Sequence, residues 1–346
     1  MPSINHYPGR SIHIDGQDWL HFSGTAYLGL ADHPQYQEKL MEGIRRYGAN
    51  FGGSRRSNLQ LAVFAEAENY LAEWLGVEAV LTVSSGSLAG QLLIKYLEQE
   101  HLCDYAPSVH PALIGQGHRF RGSQDEWSQY ILELEAAPNR ILLSSTIDPL
   151  RARAYDFSWL QRLSPKNHTT LVLDDSHGLG VLGLEGRGTL SLLPSLPYTG
   201  YTLLSSMGKA LSLPGGLVGG SRDLIQALWE SPFFGGASPI IPAYLYAFLQ
   251  CLPLLAEQRS RLSENIRFFT QVNPQPKAFR QISGHPVFFV RDVGLADFLA
   301  QSQILISSFH YPTTQDPKIN RIVINAAHTR ADLEKLATLI DKYYQN

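Results

Sequence analysis

Short apolar runs alternate with amphipathic stretches through the first two thirds of the chain. Between most of the runs, apolar residues recur every three or four positions, as in QLAVFAEAENYLAEWLG, SLAGQLLIKYLEQE and SQDEWSQYILELEAA, which predicts helices. Strands that alternate with helices indicate crossover connections and therefore an α/β fold around a mostly parallel, buried sheet. The runs of strand length are AVLTV (79–83), RILLSS (140–145), TLVLDD (170–175), YTLLSS (201–206) and GLVGG (216–220).

The pattern changes after about residue 240. A helical pattern runs from about Pro242 to Phe269, strand patterns follow at PVFFV and RIVIN, and RADLEKLATLIDKYY predicts a C-terminal amphipathic helix. This mixture is typical of a smaller α+β domain. We therefore predict three parts, which are an N-terminal segment (1–35), a large α/β domain (36–240) and a small C-terminal α+β domain (241–346).

The composition is typical of a soluble globular protein, with 44% hydrophobic and 17% charged residues among 346. The formal net charge is −3 and no run is rich in Lys or Arg, so a nucleic-acid partner is not expected. Because the N-terminus has no apolar core of a signal peptide and no apolar run is long enough to span a bilayer, we expect a cytoplasmic protein. Cys103 and Cys251 lack metal or redox spacing, so we expect reduced packing residues and no metal site.

Ligands of parallel sheets bind at the carboxyl ends of the strands, where this chain has SSGS, DDSHG and SSMGK. Lys209 lies there among small residues, and a desolvated lysine has a lowered pKa and can form a Schiff base with an aldehyde. Asp174 and Asp175 end a buried run, and strand alternation points their side chains in opposite directions, so one of them can face a ligand. A lysine and a strand-end carboxylate together favour pyridoxal phosphate, whose ring needs an anion beside its nitrogen.

Two other sequence motifs lack the surrounding residues that their usual functions require. Gly178, Gly180 and Gly183 spell G-x-G-x-x-G after a strand, but no helix pattern follows and no acidic residue lies between Gly186 and Arg222, so a dinucleotide site is not expected. The pattern S-x-x-K that ends at Lys209 is followed by neither S-D-N nor K-T-G, which a serine nucleophile of the penicillin-binding type would require.

The segment DDSHGLGVLGLEGRG resembles the D-E-A-H-S-x-G-V-x-G-x-x-G-R-G motif of the α-oxoamine synthases, which are pyridoxal-phosphate enzymes of fold type I. The resemblance implies a large domain with a mostly parallel sheet between helices, a smaller C-terminal domain, and a homodimer with a shared active site. It also implies condensation of an amino acid with an acyl thioester carried on CoA or a carrier protein. Further matches follow in the same order: YLGLADHP (27–34), GGSR (52–55), LAEWLG (71–76), SSGSLAGQ (84–91), SVHPA (108–112), SMGKAL (206–211) and RIVINAAH (321–328).

By this resemblance four side chains would act on the cofactor ring. Lys209 would bind the cofactor aldehyde and later remove the α-proton of the amino acid, and Asp174 would pair with the pyridine nitrogen. His177 would hydrogen-bond the phenolic oxygen, and His110 would lie over the ring face. The residues alone leave other interpretations open, since a strand-end aspartate can cap a turn and His110 can be an ordinary loop histidine.

The resemblance also implies residues for the phosphate and the substrate. The phosphate would bind at a helix start and at a loop hydroxyl, and one hydroxyl would reach the site of the neighbouring subunit. Arg321 would bind the amino-acid carboxylate as a bidentate donor, and Thr25 would contact the substrate. A plain helix N-cap and an exposed cross-strand arginine are the alternatives. The phosphate-binding residues implied are Ser85, Gly86, Ser87, Ser206 and, from the neighbouring subunit, Ser238.

The chain departs from the family motif at positions that bear on substrate recognition. Thr25 and Gly90 replace asparagines, Leu59 and Phe64 replace a glycine and a histidine, and LSSTIDPLR (143–151) replaces T-E-x-x-x-S-M-D-G. These changes leave open an aminotransferase or lyase on the same fold, and a divergent partner subunit, although the retained lysine argues against the latter. Basic residues that could meet CoA phosphates, or form a solvated face, are Arg45, Arg46, Arg55 and Arg56.

Overall fold

Helices and strands alternate along the chain in the computed structural model, which describes residues 3–107, 109–134, 140–163, 169–193, 199–311 and 313–345. The strands are β1 (Ser11–Ile14), β2 (Gln17–Phe22), β3 (Ala79–Val83), β4 (Leu102–Tyr105), β5 (His118–Arg119), β6 (Arg140–Ser145), β7 (Ile147–Asp148), β8 (Arg153–Ala154), β9 (Thr169–Asp174), β10 (Thr199–Ser206), β11 (Gly216–Gly220), β12 (Phe279–Gln281), β13 (Val287–Val290), β14 (Ile304–His310) and β15 (Lys318–Val323). The helices are α1 (Pro34–Tyr47), α2 (Ala62–Leu75), α3 (Gly86–Leu97), α4 (Gln124–Glu133), α5 (Arg222–Glu230), α6 (Pro232–Gly236), α7 (Pro242–Gln250), α8 (Leu252–Val272), α9 (Leu295–Ala300) and α10 (Arg330–Gln345).

The central sheet has the strand order β3-β11-β10-β9-β6-β4-β5. Strands β10, β9, β6, β4 and β5 pair in parallel, whereas β11 pairs antiparallel with both of its neighbours. The middle residues of β9, 171–173, are completely buried, as expected for a strand covered on both faces. The predicted α/β class with a mostly parallel sheet is therefore confirmed.

A second sheet has the order β1-β2-β14-β15-β13-β12. Strand β2 pairs in parallel with β14, so the N-terminal strands extend the sheet formed by the C-terminal part of the chain. One buried apolar cluster contains residues of both sheets. Its members include Phe22 of β2 and Ile322 of β15 from this sheet, and Leu203 of β10 from the central sheet. The division into three parts stays a prediction.

The apolar runs identified in the sequence coincide with buried strands. Runs 79–83, 140–145 and 216–220 match β3, β6 and β11 at both ends. The helical pattern from Pro242 is divided into α7 and α8, with Cys251 between them in a non-helical conformation. Pro253 explains the break, because proline has no N–H for a hydrogen bond to the preceding turn. Cys103 and Cys251 are buried free cysteines, and no described helix is both long and apolar enough to cross a membrane.

Candidate active site

Three parallel strands of the central sheet end at the same edge. Asp174, at the end of β9, is in register with Ser145 of β6 and Leu204 of β10. The backbone continues these pairings past the strand ends, since Asp175 N donates to Leu204 O at 2.9 Å and Thr146 N donates to Asp174 O at 3.0 Å. Side chains that follow the three strands therefore lie close together, where ligands of parallel sheets bind.

Lys209 lies in the turn that connects β10 and β11. Backbone hydrogen bonds from Met207 N to Gly215 O (2.9 Å) and from Leu213 N to Met207 O (3.0 Å) close this turn. Burial lowers the pKa of Lys209, although the carboxylates of Asp174 and Asp175 oppose the shift. A lysine with a lowered pKa has a larger fraction of neutral amine, which is the form that reacts with an aldehyde.

The two aspartates after β9 differ in environment. Asp175 is completely buried and accepts hydrogen bonds from Thr146 Oγ1 (2.6 Å), Thr189 N (2.6 Å) and Thr189 Oγ1 (2.9 Å). Burial raises the pKa of Asp175 to about 6. Asp174 is half-buried, and its Oδ1 accepts from Ser176 N at 3.0 Å, while Oδ2 has no hydrogen-bond partner among the described residues. Asp174 thus caps a turn and still has an oxygen available for a ligand.

The glycines after Asp175 pack around its carboxylate. An added Cβ would lie 2.1 Å from Asp175 Oδ1 at Gly178 and 2.0 Å from Asp175 Oδ2 at Gly188. A three-residue 3₁₀ turn, Leu184–Gly186, follows the glycines. The first glycine of the G-x-G-x-x-G pattern, Gly178, therefore accommodates a buried carboxylate, and the helix that a dinucleotide site requires does not follow the pattern in the described part of the chain.

His177 is held by two buried aromatic residues. Its Nδ1 lies 2.8 Å from Tyr27 Oη, and its backbone oxygen lies 3.1 Å from His285 Nε2. Burial, together with the positive charge of Lys209, lowers the pKa of His177 well below the ordinary value. Sequence reasoning did not assign Tyr27, which stands inside the YLGLADHP motif, or His285, which has no local signal.

The start of α3 faces the end of β10. Ser85 is the N-cap, with Oγ accepting from Leu88 N at 3.1 Å, and the N–H groups of Gly86 and Ser87 have no partner among the described residues. A Cβ added to Gly86 would lie 2.7 Å from Ser206 Cβ, and Ser206 Oγ accepts from Gly208 N at 3.3 Å. The N-cap interpretation is correct for Ser85, and the remaining donors suit an anion.

Three predicted residues lie on loops. His110 is exposed, and its Nδ1 accepts from Ala112 N at 3.1 Å at the start of a 3₁₀ turn. Ser238 is exposed between α6 and α7, and Thr25 is half-buried two residues before Tyr27. Ser108, the first residue of the SVHPA motif, lies outside the described residues. The ligand contacts of these residues stay predictions.

Arg321, on β15, is 6% exposed, so the interpretation as an exposed cross-strand charge is wrong. Its Nη1 donates to Pro149 O at 3.0 Å, and its guanidinium carbon lies 5.2 Å from the centre of the Phe309 ring. Its Nε is buried without a hydrogen-bond partner, and it forms no ion pair with a carboxylate in the described part of the chain. Burial lowers the pKa of Arg321. A buried guanidinium with an unpaired donor fits a carboxylate ligand.

Arg55 differs from the expectation that it could meet CoA phosphates. It is 5% exposed and forms a bidentate ion pair with Glu68, which also accepts from Thr82 Oγ1 at 2.7 Å. Its guanidinium carbon lies 4.3 Å from the centre of the ring of Phe64, the residue that replaces the family's histidine. The expectation is wrong for Arg55, because its charge is already neutralised and desolvated.

Gly90 marks a close contact between α3 and the loop after β4. A Cβ added there would lie 2.5 Å from the backbone oxygen of Ala112. The asparagine of the family motif would not fit at this distance, so this packing of the loop that carries His110 requires a residue without a side chain at position 90. Among the described residues, no group of three or more His, Cys, Asp and Glu side chains could hold a metal ion.

Comparisons with known proteins extend over nearly the whole chain. No family model matches it. It is 35% identical over 344 residues to the 8-amino-7-oxononanoate synthase of Aeromonas salmonicida, which covers 95% of this chain and 86% of that protein. A structure of serine palmitoyltransferase with pyridoxal phosphate aligns with a TM-score of 0.83 at 16% identity, covering 97% of this chain and 90% of that one. The 8-amino-7-oxononanoate synthase of Francisella tularensis aligns with a TM-score of 0.72 at 20% identity, covering 94% and 98%.

Proposed function

Since this chain belongs to the α-oxoamine synthase family of pyridoxal-phosphate-dependent enzymes, we propose that it condenses an amino acid with an acyl thioester, as an 8-amino-7-oxononanoate synthase does. It is a pyridoxal-phosphate-dependent acyltransferase. The observation that carries the proposal is the pair formed by Lys209, whose pKa is lowered, and the half-buried carboxylate of Asp174 at one sheet edge. When bound, pyridoxal phosphate supplies an electron sink for the carbanion of the amino acid.

The residues of this edge fit that cofactor. Lys209 would hold its aldehyde carbon and would then accept and return the α-proton through Nζ. Asp174 Oδ2 would accept from the protonated ring nitrogen, and His177 would hydrogen-bond the phenolic oxygen. Gly86, Ser87 and Ser206 would bind the phosphate, with Ser85 holding the first turn of α3 in place. His110 would cover the ring face from the adjoining loop.

Arg321 would bind the amino-acid carboxylate. Its Nε is buried without a hydrogen-bond partner and its Nη1 donates to a backbone oxygen, so among the described residues no protein carboxylate pairs with the guanidinium. Thr25 lies on the loop that also carries Tyr27. Arg321 would thereby hold the amino acid so that its α-proton is presented to Lys209.

The homodimer and the cytoplasmic location also belong to this proposal and rest on the sequence. Ser238 would reach the phosphate of the neighbouring subunit, which accords with its exposed position in this chain. The dimer would be tested by sedimentation, where a mass near twice 38.5 kDa is expected and a monomer at assay concentration would contradict it.

The cofactor is tested by adding pyridoxal phosphate to the apoprotein and reducing the complex with borohydride. We expect an absorption band of the bound cofactor and, after digestion, a peptide in which Lys209 carries the cofactor. Lys209→Ala should abolish the labelled peptide, whereas Lys277→Ala, at an exposed position, should retain it. A protein that gains no band would contradict the proposal.

The reaction is tested with glycine, alanine and serine, each with and without acyl-CoA or an acylated carrier protein. Acyl transfer predicts release of the free thiol and of CO₂ when amino acid and thioester are both present. Conversion of the cofactor to its amine form by an amino acid alone, with no thiol release, would replace acyl transfer by transamination.

A further inference from the structure

His285 is a completely buried histidine just before β13, in the second sheet, and it contacts the loop after β9 of the central sheet. Its Nε2 lies 3.1 Å from the backbone oxygen of His177, and its Nδ1 lies 3.4 Å from Val287 N. A carbonyl oxygen accepts and a backbone N–H donates, so both contacts are made when Nε2 carries the proton and Nδ1 carries none. Burial lowers the pKa of His285 to about 4, so this neutral form persists at neutral pH.

Tyr27 fixes the other side of His177. Its hydroxyl lies 2.8 Å from His177 Nδ1, and its ring meets the His285 ring edge to face, with centroids 5.6 Å apart. Tyr27 is completely buried, and its hydroxyl has no other hydrogen-bond partner among the described residues. If Nδ1 carried the proton, the hydroxyl proton of Tyr27 would be buried without an acceptor, which is costly. Tyr27 therefore donates to Nδ1, and the proton of neutral His177 is on Nε2.

We propose that His285 is a positioning residue that, together with Tyr27, holds His177 in the Nε2–H form. His285 holds the backbone of His177 through its carbonyl, and Tyr27 holds the imidazole through Nδ1. Nε2 of His177 has no partner among the described residues, so it remains a donor for an acceptor in the site. This inference rests on the proposed function, in which that acceptor is the phenolic oxygen of pyridoxal phosphate.

The surroundings of His177 favour its neutral form. Burial, and after it the positive charges of Lys209 and Arg321, lower the pKa of His177. A second proton on His177 would face these groups without a carboxylate partner among the described residues. The ring is thus a neutral donor whose direction is set by its two neighbours, and the contact with His285 connects the two sheets at the site.

The first test is ¹⁵N NMR of the full-length apoprotein labelled at histidine, with the His177 signals identified by their loss in His177→Gln. We expect His177 to show a protonated Nε2 and an unprotonated Nδ1 near neutral pH before any cofactor is added. A protonated Nδ1 would overturn the proposal. This measurement does not depend on acyl transfer, so failure of the proposed function would leave it valid.

The second test compares His285→Leu with His285→Gln, whose amide nitrogen can replace Nε2 as a donor to the His177 carbonyl. His285→Leu removes the hydrogen bond that holds the His177 backbone, so the ring should move away from Tyr27 Oη and its tautomers should average. Pyridoxal phosphate binding should weaken about fivefold, as expected for one lost hydrogen bond. His285→Gln should restore both, and His118→Gln, at an exposed position, should change neither.

Two results of the second test would overturn the proposal. One is a His285→Leu protein with the wild-type His177 spectrum and cofactor affinity. The other is a loss of thermal stability in both His285 variants with no difference between them in affinity or spectrum, because that pattern indicates a packing role alone. If His285→Leu does not fold, His285→Phe provides the same comparison, since it keeps an aromatic ring against Tyr27 and removes the donor to the His177 carbonyl.

Discussion

At the scale of single residues, Arg321 is proposed to bind the amino acid and not the cofactor, so its substitution should change the binding of the amino acid alone. Its buried guanidinium lacks a carboxylate partner in the described part of the chain, so Arg321→Gln should raise the KM for the amino acid. Hydrogen bonds to charged groups contribute about 1.5–3 kcal/mol, which corresponds to a rise of about 10- to 150-fold. Steady-state kinetics and a cofactor titration would measure the two effects, and pyridoxal phosphate affinity should be unchanged.

Arg330→Gln is the matched control for this prediction. Arg330 is an exposed arginine whose guanidinium carbon lies 5.2 Å from the centre of the Phe268 ring, so it shares the ring contact of Arg321 without its burial. Its loss should leave the KM unchanged. A variant of Arg321 with a normal KM and a weakened cofactor would contradict the assignment of this residue to the substrate.

Asp175 gives a prediction for stability against pH. Burial raises its pKa from 3.8 to about 6, so the folded state binds its proton more tightly than the unfolded state does. The resulting stabilisation is present below pH 3.8 and is lost as the pH rises through 6. Asp175→Asn has no such contribution, so the variant should be more strongly destabilised, relative to the wild type, at pH 4.5 than at pH 7.5.

Between pH 7.5 and pH 4.5, the difference in free energy of unfolding between the wild type and Asp175→Asn should grow by about 2 kcal/mol. Urea unfolding of both apoproteins at the two pH values measures it, because other acidic groups titrate equally in the two proteins and cancel. An equal difference at pH 4.5 and pH 7.5 would show that Asp175 does not titrate in this range.

The sequence was informative about residues whose chemistry is local. The positions of Lys209 and Asp174 at one sheet edge could be predicted because Asp174 lies at the end of an apolar run and Lys209 shortly after another, and the edge of a parallel sheet brings such positions together. Tyr27 and His285 could not, because their contact with His177 spans 150 and 108 residues of chain and depends on the second sheet. The burial of Arg55 was equally hidden, since its partner Glu68 lies on the next helix.

At the scale of elements, the junction of α3 and β10 is set by the absence of a side chain at Gly86. A Cβ there would lie 2.7 Å from Ser206 Cβ and 3.0 Å from Ser206 Cα, so Gly86→Ala must displace the start of α3. Since the proposed donors for the phosphate come from this junction, we expect pyridoxal phosphate affinity to fall at least about tenfold. Titration of the apoprotein measures it.

Gly52→Ala is the control for Gly86→Ala. An added Cβ at Gly52 has no atom within 4 Å in the described part of the chain, so this variant should bind the cofactor normally. Equal affinities of the two variants for pyridoxal phosphate would mean that binding of its phosphate does not depend on the junction of α3 and β10.

Elements were predictable from sequence where burial is uniform. Strands such as β6 and β11 appear as continuous apolar or small-residue runs because both faces are covered. Strands β1 and β2 are partly exposed, with burial that alternates along β1 and increases toward the end of β2, and neither was predicted. Strand β1 pairs with β2, and β2 in turn pairs with β14, a partner almost 300 residues away that no local pattern contains.

At the scale of the whole molecule, the N-terminal strands support the sheet that carries Arg321. Leu20 pairs with Ile304, and the Phe22 ring stacks on His328 with centroids 4.1 Å apart. Arg10 forms a bidentate ion pair with Asp332 of α10, with distances of 2.6 and 2.7 Å. The first part of the chain therefore contacts both strand β14 and helix α10 of the C-terminal part.

Removal of residues 1–22 should consequently destabilise the whole protein. Loss of a buried phenylalanine such as Phe22 alone costs about 3–5 kcal/mol, and the deletion also leaves β14 without its parallel partner, which exposes an unpaired strand edge. We expect a large fall in the thermal midpoint or aggregation, whereas removal of residues 1–6, mostly exposed where described, should leave the midpoint unchanged. If the longer deletion folds normally but has a raised KM for the amino acid, these strands position Arg321 through β14 and β15 without contributing to stability. Equal midpoints and equal KM values in both truncated proteins would contradict the inferred role of the N-terminal strands.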